Sequence, residues 1–439
     1  MTIAVLRADA RACLDAALAA VDPARLVARR LRRGGNTLTL ADASGREVGR
    51  HHGPVLVVGA GKAALAMGRA AATAAGDACR GGRLIVPHGG AGPCPGGVAV
   101  ATGRHPIPDD AGAAATAELL DAVAAADEKT LVVAVLSGGA SALLVAPAAD
   151  VTLADKQAVT AALLGAGAPI DALNLVRRHC SRVKGGGLAR AAARAAGLWA
   201  LLLSDVVGDD PEVIASGPAS ADPTTFADAV AVLARHLAPP DVPPAIVTRL
   251  ARGAAGELAD TVKPGDPLLA RVLSVVVGDN RTAVAAAAEA ATARGYAVDV
   301  VAEPLTGDAA DTGRALARRA LALAPGGALV AGGETTVRAR GGSGGRSQHL
   351  ALAAAIELAG FPIVLLAAGT DGVDGPTDAA GACVDGETVA RAQAAGADPA
   401  EALAATDSHG LLARTGDLVR TGPTGTNVAD VVVALRPAW

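Results

Sequence analysis

The sequence predicts an α/β protein of two lobes, and three observations carry that prediction. At 439 residues the chain is too long for one ordinary core. Apolar runs of strand length recur, each closed by Gly, Ser, Asp or Pro and followed by a segment of helical composition, as repeated βα units around a mostly parallel sheet require. The composition is 51% hydrophobic but only 1% aromatic, so the cores are assembled from Ala, Val and Leu on closely approaching elements. A cleft between the lobes is the expected place for a ligand.

Residues 5–33 carry apolar side chains at helical spacing (Leu14, Leu18, Val21), interrupted by Pro23 and ending in an Arg cluster that suits a helix C-terminus. Two short helices are expected, then a polar stretch over 36–52. The run PVLVVGAGKAALAMGRAAATAA opens the βα series as strand, glycine turn and Ala-rich helix. Similar units follow at RLIVP, VAVATGRHPIPDDAG, LVVAVLSGGASALLV and WALLLSDVVGDDPEVIASGP. Between 238 and 267 the rhythm stops at Pro239, Pro240, Pro243, Pro244, Pro264 and Pro267, so the lobes are divided there, as 1–265 and 266–439. The second lobe is then expected to open with VLSVVVGDNRTAVAAAAEAA and to end on the strand VADVVVAL. Its Ala-rich tracts read as helices, since Ala is the best helix former.

A net charge of −4 gives no basic field for nucleic acid, and the scarcity of aromatics leaves no stacking platform for bases. Cys13, Cys79, Cys94, Cys180 and Cys383 are odd in number and scattered, which fits free thiols in a reducing compartment rather than disulfides or a zinc site. Charged residues interrupt the N-terminal segment and the longer apolar runs, so neither a signal peptide nor a membrane span is expected. A cytoplasmic location follows as an expectation.

Open parallel sheets bind ligands at the carboxyl ends of their strands, and polar or Gly-rich residues gather there repeatedly. In GAGKA, residues 59–63, Gly59 and Gly61 permit close backbone approach and Lys62, one of five lysines, offers a charge at a helix start. A Walker A loop needs Ser or Thr after the lysine, and Ala63 stands there. A dinucleotide fingerprint needs an acidic residue at the end of the next strand, and RLIVP ends in Pro87 and His88. In SGGASA, residues 137–142, the backbone of Gly138 and Gly139 and the hydroxyls of Ser137 and Ser141 suit an anion nest. Arg177 and Lys184 are seven residues apart, which on a helix would put both cations on one face. Asp205, Asp279, Glu334, Asp371 and Asp374 recur at strand ends, where each alone could be a turn or cap residue. Together with Lys62, Arg177, Lys184 and Arg346 they supply what phosphoryl transfer demands: oxygen ligands for magnesium and positive charge for phosphates. His105 in GRHPIPDD could meet substrate or anchor its loop. No GxSxG elbow or HExxH is present, so serine and zinc hydrolases lack their motifs.

The ordered set GAGKA, GRHPIPDDAG, LSGGASALL, NLVRRHCSRVKGGGLA, SDVVGDDPEVIASGP, GGETTV, GTDGVDGPTDAAGA and TGPTGTNVAD resembles the bilobal glycerate 2-kinase family with its MOFRL C-terminal region, over nearly the whole chain. The resemblance implies phosphorylation of D-glycerate to 2-phosphoglycerate by ATP and Mg2+, with a Rossmann-like N-terminal lobe and a smaller C-terminal α/β lobe. Lys62 and Arg346 match the family residues that flank the transferred group. Where the family pattern reads GGRNQE this chain reads GGRSQH, so Ser347 and His349 take no role from it. Direct in-line transfer is the mechanism expected, with Asp205 and Asp371 as catalytic carboxylates and magnesium ligands. Asp205 is also the candidate general base. Gly59, Gly61, Ser137, Gly138, Gly139, Ser141, Arg177, Lys184, Asn280, Glu334 and Asn427 are the candidates for holding nucleotide and substrate. An NAD(P)H-dependent hydroxypyruvate reductase and a non-catalytic nucleotide or sugar-phosphate sensor stay open as alternatives, as does a homodimer.

Overall fold

The computed structural model describes residues 2–338 and 340–438. The chain forms two compact units, Pro23–Val277 and a second made of Met1–Asp22 with Gly278–Trp439.

The first unit starts with a three-stranded antiparallel sheet of β1 (Leu31–Gly34), β2 (Thr37–Ala41) and β3 (Glu47–His51). β2 and β3 fall in the stretch expected to be polar, and β1 takes Leu31, Arg32 and Arg33, expected to end the second helix, which stops at Arg30. Only Leu38 and Leu40 alternate inward on β2, so the period-2 signal is two residues long. Asp42 accepts hydrogen bonds from the Ser44 and Arg46 amides at 3.0 and 3.1 Å and closes the β2–β3 turn.

The main sheet comprises β4 (Val55–Ala60), β5 (Cys79–Pro87), β6 (Val98–Gly103), β7 (Leu131–Leu136), β8 (Gly197–Leu203) and β9 (Val272–Gly278), in the order β6-β5-β4-β7-β8-β9. The β4–β5, β4–β7, β5–β6 and β7–β8 pairs all run parallel. Every residue of β7 and β8 is buried, as strands covered on both faces must be. From β4 the chain steps outward through β5 to β6, then returns to the other side of β4 as β7. The strand order therefore reverses between the carboxyl ends of β4 and β7, the place where open α/β sheets take ligands.

The proline-rich segment is not a boundary. Pro244 begins the helix Pro244–Ala254, Pro267 begins a short 3-10 turn, and the chain then returns to the sheet as β9. VLSVVVG, expected to open the second lobe, is thus the edge strand of the first sheet. Pro244 and Pro267 open helical turns rather than break the chain, because the amide a proline lacks would be unpaired at the first helical position anyway. Helices Phe226–His236 and Pro244–Ala254 join Leu153–Gly165 and Ile170–His179 around a satellite core that includes Phe226, Leu233, Ile246, Leu250, Val159 and Leu173.

In the second unit β10 (Ala297–Val300), β11 (Gly327–Gly333), β12 (Val364–Gly369), β13 (Gly381–Asp385), β14 (Leu418–Val419) and β15 (Asp430–Leu435) form a mixed sheet ordered β10-β11-β15-β12-β13-β14. β15 enters the centre antiparallel to both neighbours, so its first residue, Asp430, pairs with Gly333 and Gly369 at the carboxyl ends of β11 and β12. Helices Ala309–Ala322 and Arg346–Glu357 pack so closely that a Cβ on Gly313 would stand 2.2 Å from the Leu350 carbonyl oxygen. The helix Ile3–Ala20, read as part of the N-terminal lobe, packs in this unit against Asn280–Thr292, β12 and β15. Arg7 pairs there with the buried Asp385 and, at 2.8 Å, with Asp417.

Candidate functional site

At the β4–β7 reversal the loops GAGKA and SGGAS clasp each other. The Lys62 amide donates to the Gly138 carbonyl at 2.8 Å and the Ala63 amide to Ser137 Oγ at 3.0 Å. Gly61, at φ +130°, donates its amide to the Ile85 carbonyl, and a Cβ on it would lie 2.2 Å from Ser137 Oγ. Gly59 sits within β4, where a Cβ would lie 2.2 Å from the Val135 carbonyl oxygen. The glycines of GAGKA therefore allow the two loops and strands to approach, and the amides of residues 61–63 are spent within the protein. Lys62 is half-buried in this loop. Gly139 takes the left-handed conformation at φ 84°, and a Cβ there would come within 3.1 Å of the His105 ring and 3.5 Å of Lys62 Cγ. The GRHPIPDD loop thus reaches SGGAS.

Behind SGGAS lies a polar buttress. Ser141 Oγ is 2.8 Å from Ser216 Oγ, and Ser216 donates to Asn174 Oδ1 at 3.1 Å. Ala215 and Ser216 both hold positive φ, 55° and 63°, without being glycine, a strain that only a well-determined surrounding maintains. The helix carrying Arg177 ends at His179, so Lys184 lies beyond it and the expected shared face does not form. Lys184 is buried instead, its ammonium donating to the Ser141 and Ala215 carbonyls at 2.8 and 3.2 Å and to Ser141 Oγ at 3.3 Å. All three donors brace the loop, and burial pushes the Lys184 pKa well down. Burial likewise lowers that of Arg177, which is half-buried. Asp205 lies two residues beyond the end of β8, after Ser204, and is half-buried.

In the second unit the site residues converge where β11 and β12 end and β15 begins. Arg346 is the first residue of its helix. Its Nε and Nη2 donate to the two oxygens of Asp430 at 2.6 and 3.1 Å, and its Nη1 pairs with Glu334. Burial works against the Arg346 charge, but the Asp430 and Glu334 carboxylates raise its pKa above the usual guanidinium value. Burial pushes the Asp430 carboxyl up to about 6, with Arg346 pulling against it. Asp374 caps the same helix: its oxygens accept the Ser347 and Gln348 amides at 3.0 and 2.8 Å and Gln348 Nε2 at 3.0 Å. Asp371 lies nearby, since a Cβ on Gly369 would be 3.3 Å from its Oδ1 and 3.4 Å from Asp430 Oδ1.

Asn280, expected to bind ligand, spends its side-chain amide on the Val428 and Asp430 carbonyls at 2.7 and 2.9 Å and so fixes the start of β15. Asn427 is buried, its Oδ1 accepting the Ala429 amide at 3.3 Å. Ser347 and His349 are buried in their helix, and Ser347 Oγ and His349 Nδ1 have no hydrogen-bond partner among the described residues. Asp374, counted with the carboxylates that could serve magnesium, spends its oxygens on the helix start instead, and Asp430 and Ser216 are site residues that the motifs did not single out. For Asp430 the signal was available, an acidic residue closing the polar run TGPTGTNVAD and opening a strand otherwise apolar.

Two family models match the chain: a domain of unknown function, DUF4147, over residues 9–251 and the MOFRL family over residues 327–430. A protein of Agrobacterium vitis named putative hydroxypyruvate reductase is 39% identical over 96% of this chain and 92% of its own length. The D-glycerate 2-kinase of Thermotoga maritima is 38% identical over 87% of this chain and 90% of its own. The crystal structure of glycerate kinase from Thermotoga maritima superposes with a TM-score of 0.84 at 35% identity, covering 98% of this chain and 99% of that one. With both family regions in order, and relatives at this identity over most of their length, the chain belongs to the glycerate kinase family.

Proposed function

We propose that this protein is a glycerate kinase that transfers the γ-phosphoryl group of ATP to the 2-hydroxyl of D-glycerate. The observation that carries the reading is Arg346, a guanidinium held at the carboxyl ends of β11 and β12 in a chain matched over most of its length by a D-glycerate 2-kinase. In an in-line transfer the glycerate hydroxyl oxygen bonds to the γ-phosphorus as the bond to ADP breaks, and the hydroxyl proton passes to Asp205, the carboxylate assigned as general base. Such a transition state needs positive charge on the equatorial oxygens more than early deprotonation. Arg346 and Lys62 are the cations assigned to that task. The SGGAS loop, braced by Lys184, is assigned to the glycerate carboxylate.

Among the described residues no three His, Cys, Asp or Glu side chains are grouped as a metal site. Magnesium that arrives on ATP needs only one or two protein carboxylates, so the residues present fit it. Asp371 would hold it, with Asp205 the other carboxylate carried in the proposal, and the ion would neutralise charge on the β- and γ-phosphates. Free cysteines at all five positions fit a reducing, cytoplasmic setting. Among the described residues no helix is long and apolar enough to cross a membrane.

The name of the Agrobacterium relative favours a second reading, a reductase of hydroxypyruvate. Against it, β5 ends in Pro87 with no acidic residue for a ribose. One assay separates the two: ATP consumption with D-glycerate and Mg2+, phosphorus NMR of the product, and a parallel NADH assay with hydroxypyruvate. A magnesium-dependent 2-phosphoglycerate signal supports the kinase. NADH oxidation without ATP turnover would replace it with the reductase.

A further inference from the structure

The two carboxylates paired with the Arg346 guanidinium are not equivalent. Asp430 takes the Nε and Nη2 edge with both oxygens, whereas Glu334 reaches only Nη1. Asp430 is fixed three ways: its backbone is registered between β11 and β12, its carbonyl accepts from Asn280, and its side chain is 8% exposed. Glu334 lies just past the end of β11, and its side chain is 43% exposed. A buried carboxylate that leaves its partner loses hydrogen bonds that water cannot replace, while an exposed one exchanges them for water at small cost. A guanidinium presents two edges of paired donors that suit phosphate oxygens as well as carboxylates.

We propose that Asp430 is the positioning residue that aims Arg346, and that Glu334 is an exchangeable placeholder on Nη1 that a phosphate oxygen displaces. The exchange preserves charge, because one anionic oxygen leaves the guanidinium as another arrives. Arg346 is then already oriented when nucleotide binds, and only an exposed pair has to break. The inference rests on the assignment of Arg346 to the phosphoryl group.

The test uses the full chain with Mg2+ and ATP, and the variants Glu334→Gln, Asp430→Asn and Arg346→Ala, each checked for folding by circular dichroism. By calorimetry Glu334→Gln should bind ATP roughly two- to fivefold more tightly than the parent, the worth of one exposed ion pair. That gain should shrink as salt is added. Asp430→Asn should lose turnover on the order of 100-fold through misplacement of the guanidinium, with KM for glycerate within about twofold. An Asp430→Asn protein within about threefold of parental kcat, or a Glu334→Gln protein that binds ATP no more tightly, overturns the inference. If Asp430→Asn does not fold, the Glu334→Gln titration decides alone. Arg346→Ala keeps the two readings apart. If it retains turnover, the role of Arg346 itself falls; if it is inactive while Asp430→Asn is active, only the positioning inference falls.

Discussion

Replacing Asp374 by Ala should destabilise the second unit by about 3 kcal/mol, because one carboxylate satisfies three donors at the start of the Arg346–Glu357 helix. The side chain is 4% exposed and Gln348 is fully buried, so water cannot readily replace it. Two backbone amides and Gln348 Nε2 would lose a partner. An unpaired buried donor costs about 1–3 kcal/mol, and measured losses of helix caps run about 0.5–2 kcal/mol, so the three together sit near the top of the cap range or above it. For a unit of this size 1 kcal/mol corresponds to about 2–4 °C, which puts the expected fall in melting temperature at about 6–12 °C. Gln348 keeps one further Asp374 bond, from Nε2 to the backbone carbonyl at 3.1 Å, so its side chain need not leave the core. Scanning calorimetry resolves the transition of the affected unit, and Asp374→Asn serves as the intermediate case, since its amide oxygen can still accept one bond. Turnover should fall in parallel, because Arg346 is the first residue of the loosened helix. An Asp374→Ala protein melting within about 2 °C of the parent would refute the capping argument and mean that the amides find other partners.

Gly61→Ala should cost roughly 2–5 kcal/mol and separate GAGKA from SGGAS, since it combines a strained φ of +130° with a Cβ 2.2 Å from Ser137 Oγ; a thermal melt together with ATP turnover checks it, and unchanged values for both would show that the clasp is dispensable. The profile of kcat/KM against pH should show an acid limb near the Asp430 value of about 6. The sign follows from the pairing: as pH falls through 6 the carboxyl takes a proton and releases the Nε edge of Arg346, so activity drops, and the limb should be absent from whatever activity Asp430→Asn retains. Lys156 is buried with its ammonium donating to the Cys180 and Arg177 carbonyls at 2.9 and 3.2 Å, and burial brings its pKa down to about 8. Between pH 8 and the unfolded value of 10.5 the unfolded chain holds more protons, so stability from this group rises with pH. Urea melts of the parent and Lys156→Met should diverge by about 3 kcal/mol across that window, and parallel curves would refute the shift.

What could be read from the sequence depended on whether the signal was local. β7 and β8 are apolar at every residue and announce themselves, and GAGKA and SGGAS fall at the strand ends where the topology then reverses. β2 and β3 were missed because a strand with only two inward leucines looks like polar coil, and β1 because its arginines look like the end of the preceding helix. The boundary was misplaced because prolines that open helices and prolines that break them are the same letter. Site residue types were legible too, but not how their donors are spent. Lys184 and Lys62 both read as free cations beside glycines, yet Lys184 is consumed by acceptors on two other segments, 43 and 31 residues away. Arg346 stood out in its motif, while Asp430, the carboxylate that sets its direction, is 84 residues further on. That partnership exists only because β15 inserts antiparallel between β11 and β12, a sheet order that strand periodicity does not encode. A cation in a glycine loop therefore becomes a site residue only once its donors have been counted against the acceptors that the topology brings to it. By that count Lys184 is a brace, and Arg346 keeps Nη1 on an exposed carboxylate, where a phosphate can replace it.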